Sequence, residues 1–393
     1  MPDNPPAADS LLGLYAQPDL VLARGAGCRV WDEEGNAYLD FTAGIAVNAL
    51  GHGAPPVVDA IHDALSHGLI HTSNLYRTRP ARELADLLVA QSFPGGVFFC
   101  NSGAEANEAA FKFARRWAHT VHGPDRFEIL AFHGAFHGRL FGSLAATDRP
   151  AYQEPFRPLM PGVHFADIGD GATVANLLGT GAVAAVIVEV VQGEGGVRPT
   201  PGPFLAELRR LCDAHDVLLI FDEIQCGLGR TGRAFAWQHH GVVPDLMTLA
   251  KPLAGGLPMG AVVVSDRVAA TLRPGDHATT FGGGPLVASV ALAVTRTLTE
   301  PAFLERVETL GLHLATRLTE LRDRHASVTD VRGLGLMRGM ALDGAAAPVV
   351  ARARDLGLLV VSAGPSVVRI VPPLTISAEE LDEGMDILDR ALS

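Results

Sequence analysis

Short apolar runs recur through the middle of the chain, each followed by a polar or glycine-rich turn and then by a helix-forming stretch. Val97-Phe98-Phe99-Cys100, Phe127 to Phe132, Ala182 to Val191, Leu218 to Asp222, Leu246 to Ala250 and Ala261 to Val264 read as strands. Runs this uniformly apolar suit strands buried on both faces of a parallel sheet. Between them, the Ala- and Glu-rich stretch through Trp117, Pro203 to His215 and Leu286 to Thr297 read as helices. Alternating strands and helices predict an α/β domain with a mostly parallel sheet.

The flanks have a different rhythm. Val21 to Phe41 alternates in character around Asp32-Glu33-Glu34-Gly35-Asn36, which predicts a hairpin. Gly51-His52-Gly53 is a loop, Pro56 to Leu65 a helix with proline near its start, His71 to Arg79 a loop and Arg82 to Ala90 a helix. A helical stretch runs from about Leu304 to His325. Short strands and helices then mix over Gly333–Leu342, Val349–Leu356, Leu358–Val361, Val367–Val371 and Glu379–Ala391. The first dozen residues, rich in proline and small polar residues, read as a loose tail. No internal repeat or low-complexity linker divides the chain.

With 393 residues, 48% of them hydrophobic and 19% charged, the chain has the length and composition for a large core, expected in two domains. A net charge of −12 argues against general nucleic-acid binding, which needs a basic surface. Cys28, Cys100, Cys212 and Cys226 are widely spaced and form no CxxC pair, so they read as reduced thiols of a cytoplasmic protein. Met-Pro-Asp-Asn-Pro-Pro has no basic region followed by an apolar one, so no signal peptide is expected. No apolar run is long enough to span a membrane.

The candidate chemistry gathers at strand ends. Asp222 closes one apolar run and Lys251 follows another. Ligands of open α/β sheets bind beyond the carboxyl ends of strands, so both can meet one ligand. Pyridoxal phosphate asks for such a pair: a carboxylate at its ring nitrogen and a lysine for its aldehyde. From these two residues alone, a buried ion pair is an equally good reading. Ser102-Gly103-Ala104 lies between a strand and a helix, where free N–H groups and the helix dipole favour an anion; plain N-capping is the commoner role of one such turn. Neither a Walker loop nor a GxGxxG dinucleotide fingerprint is present. Phe136 and Arg139, on a loop at a strand end, suit a planar, anionic ligand. His133 and His137 have metal-like spacing, but the glycines between them disfavour a helix, and no metal site is expected.

Taken in order, the motifs form one set. They are Asn101-Ser-Gly-Ala-Glu-Ala-Asn-Glu108, Phe136-His-Gly-Arg139, Glu189-Val-Val-Gln-Gly-Glu194-Gly-Gly196, Phe221-Asp-Glu-Ile-Gln-Cys-Gly-Leu-Gly-Arg-Thr-Gly232, Ala250-Lys251, Thr279-Thr-Phe-Gly-Gly283 and Arg369-Ile-Val-Pro-Pro373. In this set the sequence resembles the class-III, ornithine-type, pyridoxal-phosphate aminotransferases over about Leu12 to Leu392. The resemblance implies fold type I: a large domain with a mostly parallel central sheet (51–304) and a smaller α+β domain built from both termini (1–50 and 305–393). It also implies a homodimer with shared active sites and pyridoxal 5′-phosphate as cofactor. Carried over by motif, Lys251 forms the Schiff base and moves the substrate proton, and Asp222 pairs with the ring nitrogen. Gln225 faces the ring's phenolic oxygen, Phe136 stacks on the ring, and Ser102, Gly103 and Ala104 hold the phosphate. Thr280 reaches the phosphate in the neighbouring subunit. Arg139 and Arg369 bind substrate carboxylates, Glu194 pairs with Arg369, Glu189 lies near the base of the site, and Tyr15 contacts a substrate carboxylate.

The implied reaction moves the terminal amine of N2-acetylornithine to 2-oxoglutarate, a step of arginine biosynthesis. Ornithine, succinylornithine, 4-aminobutyrate or a carrier-bound aminoadipate semialdehyde of lysine synthesis would fit the same residues. An aminomutase or decarboxylase on this fold, or a non-catalytic cofactor-binding regulator, are readings from other classes. Three positions depart from the family pattern. Pro252 follows the lysine and is expected to push Lys251 toward extended backbone. Gly284 stands where asparagine is usual, and His52-Gly53-Ala54-Pro55 lacks the usual His-Pro.

Overall fold

The computed structural model describes residues 12–15 and 18–393. Most of the expected N-terminal tail lies outside the described residues. Seven strands form the central sheet, in the spatial order Gly95–Cys100, Gly260–Ser265, Leu246–Leu249, Leu218–Asp222, Val183–Glu189, Glu128–Phe132 and Val163–Ala166. Gly260–Ser265 runs antiparallel to both neighbours, and every other adjacent pair is parallel.

Period-2 alternation explains how these runs bury both faces. Leu218 and Ile220 join the core built on Ala106, Phe113 and Trp117 of the Gly103–His122 helix. Leu219 and Phe221 join the opposite core with Phe204 and Leu208 of the Gly202–His215 helix. Each buried aliphatic or aromatic side chain contributes about 1.5–3 kcal/mol, so the register is strongly held. A slip of one residue would carry Asp222 to the wrong face. In the observed register Asp222 falls on the face of the Gly103–His122 helix, directly beside Glu189 of the next strand.

Both ends of the chain build one smaller sheet. Leu22–Ala26, Arg29–Asp32 and Ala37–Asp40 run antiparallel, and Leu358–Leu359 adds in parallel to the last of them. The expected hairpin turn is held by Asp32, which accepts N–H bonds from Glu34 and Asn36. A second four-stranded sheet is made of Val328–Leu334, Met337–Leu342, Val367–Ile370 and Val361–Ser362, and it carries Arg369. The stretch Leu358–Val361, read only as part of a mix of short strands and helices, is divided between two sheets: Leu358–Leu359 joins one and Val361–Ser362 the other. Periodicity could not reveal this, because each half is only two residues long. Among the described residues no helix is long and apolar enough to cross a membrane.

Candidate active site

Gly95–Cys100, Glu128–Phe132, Val183–Glu189, Leu218–Asp222 and Leu246–Leu249 end on one edge of the central sheet, and the loops beyond them close around a cavity of about 400 Å³. The walls are Ser102, Gly103, Ala104, Phe136, Arg139, Glu189, Glu194, Asp222, Gln225 and Lys251, with Val47, Val191, Ile224, Leu257 and Met259 as apolar lining. Arg369 reaches this group from the neighbouring sheet. Its Nη1 donates to Glu194 Oε1 at 2.6 Å and Gln225 Oε1 at 3.1 Å, and its Nη2 to the Ser362 carbonyl at 3.3 Å. Its buried Nε has no partner among the described residues. Tyr15 is 79% exposed and does not line the cavity. Thr280 is exposed on the outer surface and does not line it either.

Asp222 is 4% exposed and bound by protein donors at both oxygens. Asn107 Nδ2 donates to Oδ2 at 2.8 Å, His137 Nδ1 stands 2.8 Å from the same oxygen, and Ile224 N–H donates to Oδ1 at 3.1 Å. Asn107 and His137 are site residues that the sequence reading did not single out as such. Asn107 belongs to the Asn101–Glu108 motif, five residues after Ser102, but helical spacing does not say which face meets the sheet. His137 stands out in the sequence only through its spacing from His133. In the structure His133 pairs with Asp148 instead. Among the described residues no group of three or more metal-type side chains comes together.

Glu189 accepts N–H bonds from Phe136 at 2.9 Å and Gly193 at 2.8 Å. Burial pushes its carboxyl up to about 7, and the adjacent Asp222 adds to the rise, while His137 and the two donors oppose it. Two carboxylates on neighbouring strands of a dry sheet edge cannot easily both carry charge. Lys251 is held below its usual value, first by burial and then by the positive Arg369. That favours a neutral, nucleophilic amine. Lys251 is not extended as expected from the following proline; it opens a single 3-10 turn, Lys251–Ala254. At the start of such a turn the N–H that Pro252 lacks has no partner in the turn to lose.

The residues fit pyridoxal phosphate. Ser102 caps the Gly103–His122 helix by accepting from Glu105 N–H at 3.2 Å. The N–H groups of Gly103 and Ala104 have no acceptor among the described residues, so they stand free for a phosphate. A Cβ on Gly103 would lie 2.9 Å from the end of the Ile224 side chain, so a larger residue there would have to move Ile224. Gly193 is similarly constrained, because a Cβ there would lie 2.5 Å from Gln225 Nε2. An aromatic ring, a buried carboxylate and an amine of lowered pKa complete the donor set.

A mostly parallel α/β sheet with a lysine, a carboxylate and an anion-binding helix start at its carboxyl edge defines a pyridoxal-phosphate enzyme of fold type I. Within that class, the family model for aminotransferase class-III matches residues 14–392, and the chain belongs to this family. It is 47% identical to the mitochondrial acetylornithine aminotransferase of Alnus glutinosa, over 97% of this chain and 85% of that one. It is 45% identical to the acetylornithine aminotransferase of Caldanaerobacter subterraneus, over 98% and 97%. Among solved structures, the N-acetylornithine aminotransferase of Stenotrophomonas maltophilia superposes with a TM-score of 0.85 at 40% identity, covering 96% of each chain. The ornithine aminotransferase of Toxoplasma gondii superposes with a TM-score of 0.93 at 32% identity, covering 98% of this chain and 92% of that one. The cofactor is pyridoxal 5′-phosphate, and the substrates are an amino donor and a keto acid.

Proposed function

We propose that this enzyme transfers the terminal amine of N2-acetylornithine to 2-oxoglutarate, giving N-acetylglutamate 5-semialdehyde and glutamate. The observation that carries the reading is the Glu194–Arg369 pair at 2.6 Å, set beside Lys251 and Asp222. The names of the relatives at 42–47% identity support the donor. When bound, pyridoxal phosphate supplies an aldehyde that condenses with amines and a protonated ring that draws in the electron pair released at the substrate carbon.

The chain's own residues divide the remaining work. Lys251 Nζ would hold the cofactor's aldehyde and, as a buried amine of lowered pKa, would take and return the proton of the donor's terminal carbon. Asp222, held in place by Asn107 and His137, would keep the ring nitrogen protonated. Phe136 would stack on the ring, Gln225 would face its phenolic oxygen, and Ser102, Gly103 and Ala104 would hold the phosphate. Glutamate carries two carboxylates, which Arg139 and Arg369 clamp at opposite ends. A terminal-amine donor has no carboxylate beside its reacting carbon. Glu194 then neutralises Arg369, which would otherwise face an apolar chain as a desolvated cation.

We read the chain as two domains, 51–304 and the joined termini 1–50 with 305–393, and as a homodimer. Leu75, Tyr76 and Phe281 are 87%, 74% and 66% exposed. They form one surface, because the His71 and Phe281 rings lie 5.1 Å apart and Asn74 donates to the Thr279 carbonyl. Exposed apolar patches of this kind mark contacts between chains, and in this reading the patch would bring Thr280 to the phosphate bound by a second copy. Tyr15 stays a substrate contact in this reading. Four buried, unpaired cysteines support a reducing, cytoplasmic setting. The test is a donor panel with 2-oxoglutarate, comparing kcat/KM for acetylornithine, ornithine, succinylornithine and 4-aminobutyrate. A preference for any donor other than acetylornithine reassigns the substrate.

A further inference from the structure

Arg139, the exposed clamp of the cavity, rests on a second aromatic ring besides Phe136. Its guanidinium carbon lies 3.5 Å from the centre of the Tyr152 ring and 5.9 Å from that of Phe136. No protein acceptor among the described residues fixes that guanidinium. A long, exposed side chain in that state loses rotamer freedom on meeting a carboxylate, and the loss weakens binding. A ring stacked under the planar cation removes part of that loss beforehand and leaves the N–H edge open to a carboxylate.

The segment that carries Tyr152 is itself well anchored. Gln153, 8% exposed, donates from Nε2 to the carbonyls of Leu144, Ala145 and Thr147 at 3.1, 3.3 and 2.8 Å. Thr147 Oγ1 in turn accepts the N–H of His137 and Gly138, the two residues before Arg139. Three residues before Tyr152, Arg149 Nη2 donates to the Glu194 carbonyl at 2.9 Å. One short stretch therefore touches both carboxylate-handling ends of the cavity.

The geometry points to Tyr152 as a positioning residue that presents Arg139 to the carboxylate farther from the transferred amine. This assignment rests on the reading of Arg139 as a carboxylate clamp. Tyr152 does not itself line the cavity, so it acts on binding and not on the proton transfer at Lys251.

The test measures calorimetric binding of glutarate, a dicarboxylate that cannot react, to the cofactor-loaded enzyme, together with KM and kcat for both substrates. Tyr152→Leu should raise the glutarate Kd and both KM values by about 3- to 30-fold, the factor expected for a cation–π contact, with kcat unchanged. Tyr152→Met, unbranched and also without a ring, should do the same, and Tyr152→Phe should restore parental values because the ring is what matters. Tyr152 is 38% exposed, so its truncation leaves a surface hollow and no core cavity. Arg139→Met should weaken glutarate at least as much, and adding Tyr152→Leu to it should have no further effect. If Tyr152→Leu and Tyr152→Met leave the Kd unchanged while Arg139→Met raises it, the positioning role is wrong and the clamp reading survives. If Arg139→Met also changes nothing, the clamp reading itself falls. A loss in kcat alone, or an additive double variant, also overturns the assignment.

Discussion

Arg369 is 2% exposed, and three acceptors share its two terminal nitrogens. Glu194, at 30% exposure, is the partner with room to leave. Removing one side of a buried charge pair costs about 2–5 kcal/mol. Arg369→Ala should therefore slow the glutamate half-reaction by that much and the terminal-amine half-reaction far less. Glu194→Ala should bias the site toward glutamate and other α-amino acids. Stopped-flow absorbance with each donor separately reads both, and equal losses for the two donors would sink the alternation. Lys251 makes a sharper demand. Lys251→Ala should fold normally, lose the long-wavelength absorbance of bound cofactor and lose turnover altogether; a variant that still transaminates removes Lys251 from the chemistry. Asp222 shows how much a residue owes to its surroundings. Its place at the end of an apolar run was visible in the sequence, whereas the two side chains that hold it come from 115 and 85 residues away.

At the scale of the element, the start of the Gly103–His122 helix does two jobs with one piece of backbone. Ser102 caps it, and the next two N–H groups have no acceptor among the described residues, which leaves them open to an anion. Gly103 cannot be enlarged without displacing Ile224, since a Cβ would lie within 2.9–3.3 Å of three of its side-chain atoms. Gly103→Val should weaken cofactor affinity, measured by equilibrium dialysis of phosphate-bearing cofactor, while melting of the cofactor-free protein changes little. Equal loss of both would show the glycine to be merely structural. The Lys251–Ala254 turn departs from the extended backbone that the sequence led us to expect. A proline disfavours helical geometry in the residue before it, yet the loop between two sheet strands forced a tight turn, and local preference gave way to tertiary closure.

Across the whole molecule, burial of charge sets the response to pH. Glu223 follows Asp222 and accepts the Ala236 and Trp237 N–H groups at 2.8 Å each, tying the strand end to the loop that wraps beneath the site. Burial nonetheless pushes its carboxyl from 4.5 up to about 7. Between these values the folded chain holds a proton that the unfolded chain has released, so Glu223 makes stability fall as pH rises through that window. The full contribution is present below 4.5 and is lost as pH rises through about 7. Glu223→Gln should flatten the decline by about 3 kcal/mol, at 1.36 kcal/mol per pKa unit, as read by urea unfolding at pH 5 and pH 8. An unchanged difference between the two pH values would show that Glu223 is ionised throughout. The exposed surface around Leu75 makes a separate demand on the whole. If this surface is the proposed contact between two copies, Leu75→Glu should lower the sedimentation coefficient toward that of a monomer and weaken retention of the cofactor; an unchanged coefficient would remove the patch from any such contact.

The alternation of strands and helices, the carboxyl-edge position of Asp222, the free helix start at Ser102 and the ordered motifs were legible along the chain. These are local: each is written in a few consecutive residues whose period or turn chemistry points one way. The fold class and the family followed from them. What the chain alone could not settle is which distant side chains share a low-dielectric space. Asn107 and His137 meet Asp222, and Glu189 lies beside it, only because sheet register and helix rotation bring those faces together. Glu189 then rises to about 7 through burial that no local pattern records. The split of Leu358–Val361 between two sheets and the stacking of Arg139 on Tyr152 belong to the same class. Backbone preference acts over a few residues, but desolvation and charge coupling act through space, and only the tertiary structure decides what is near.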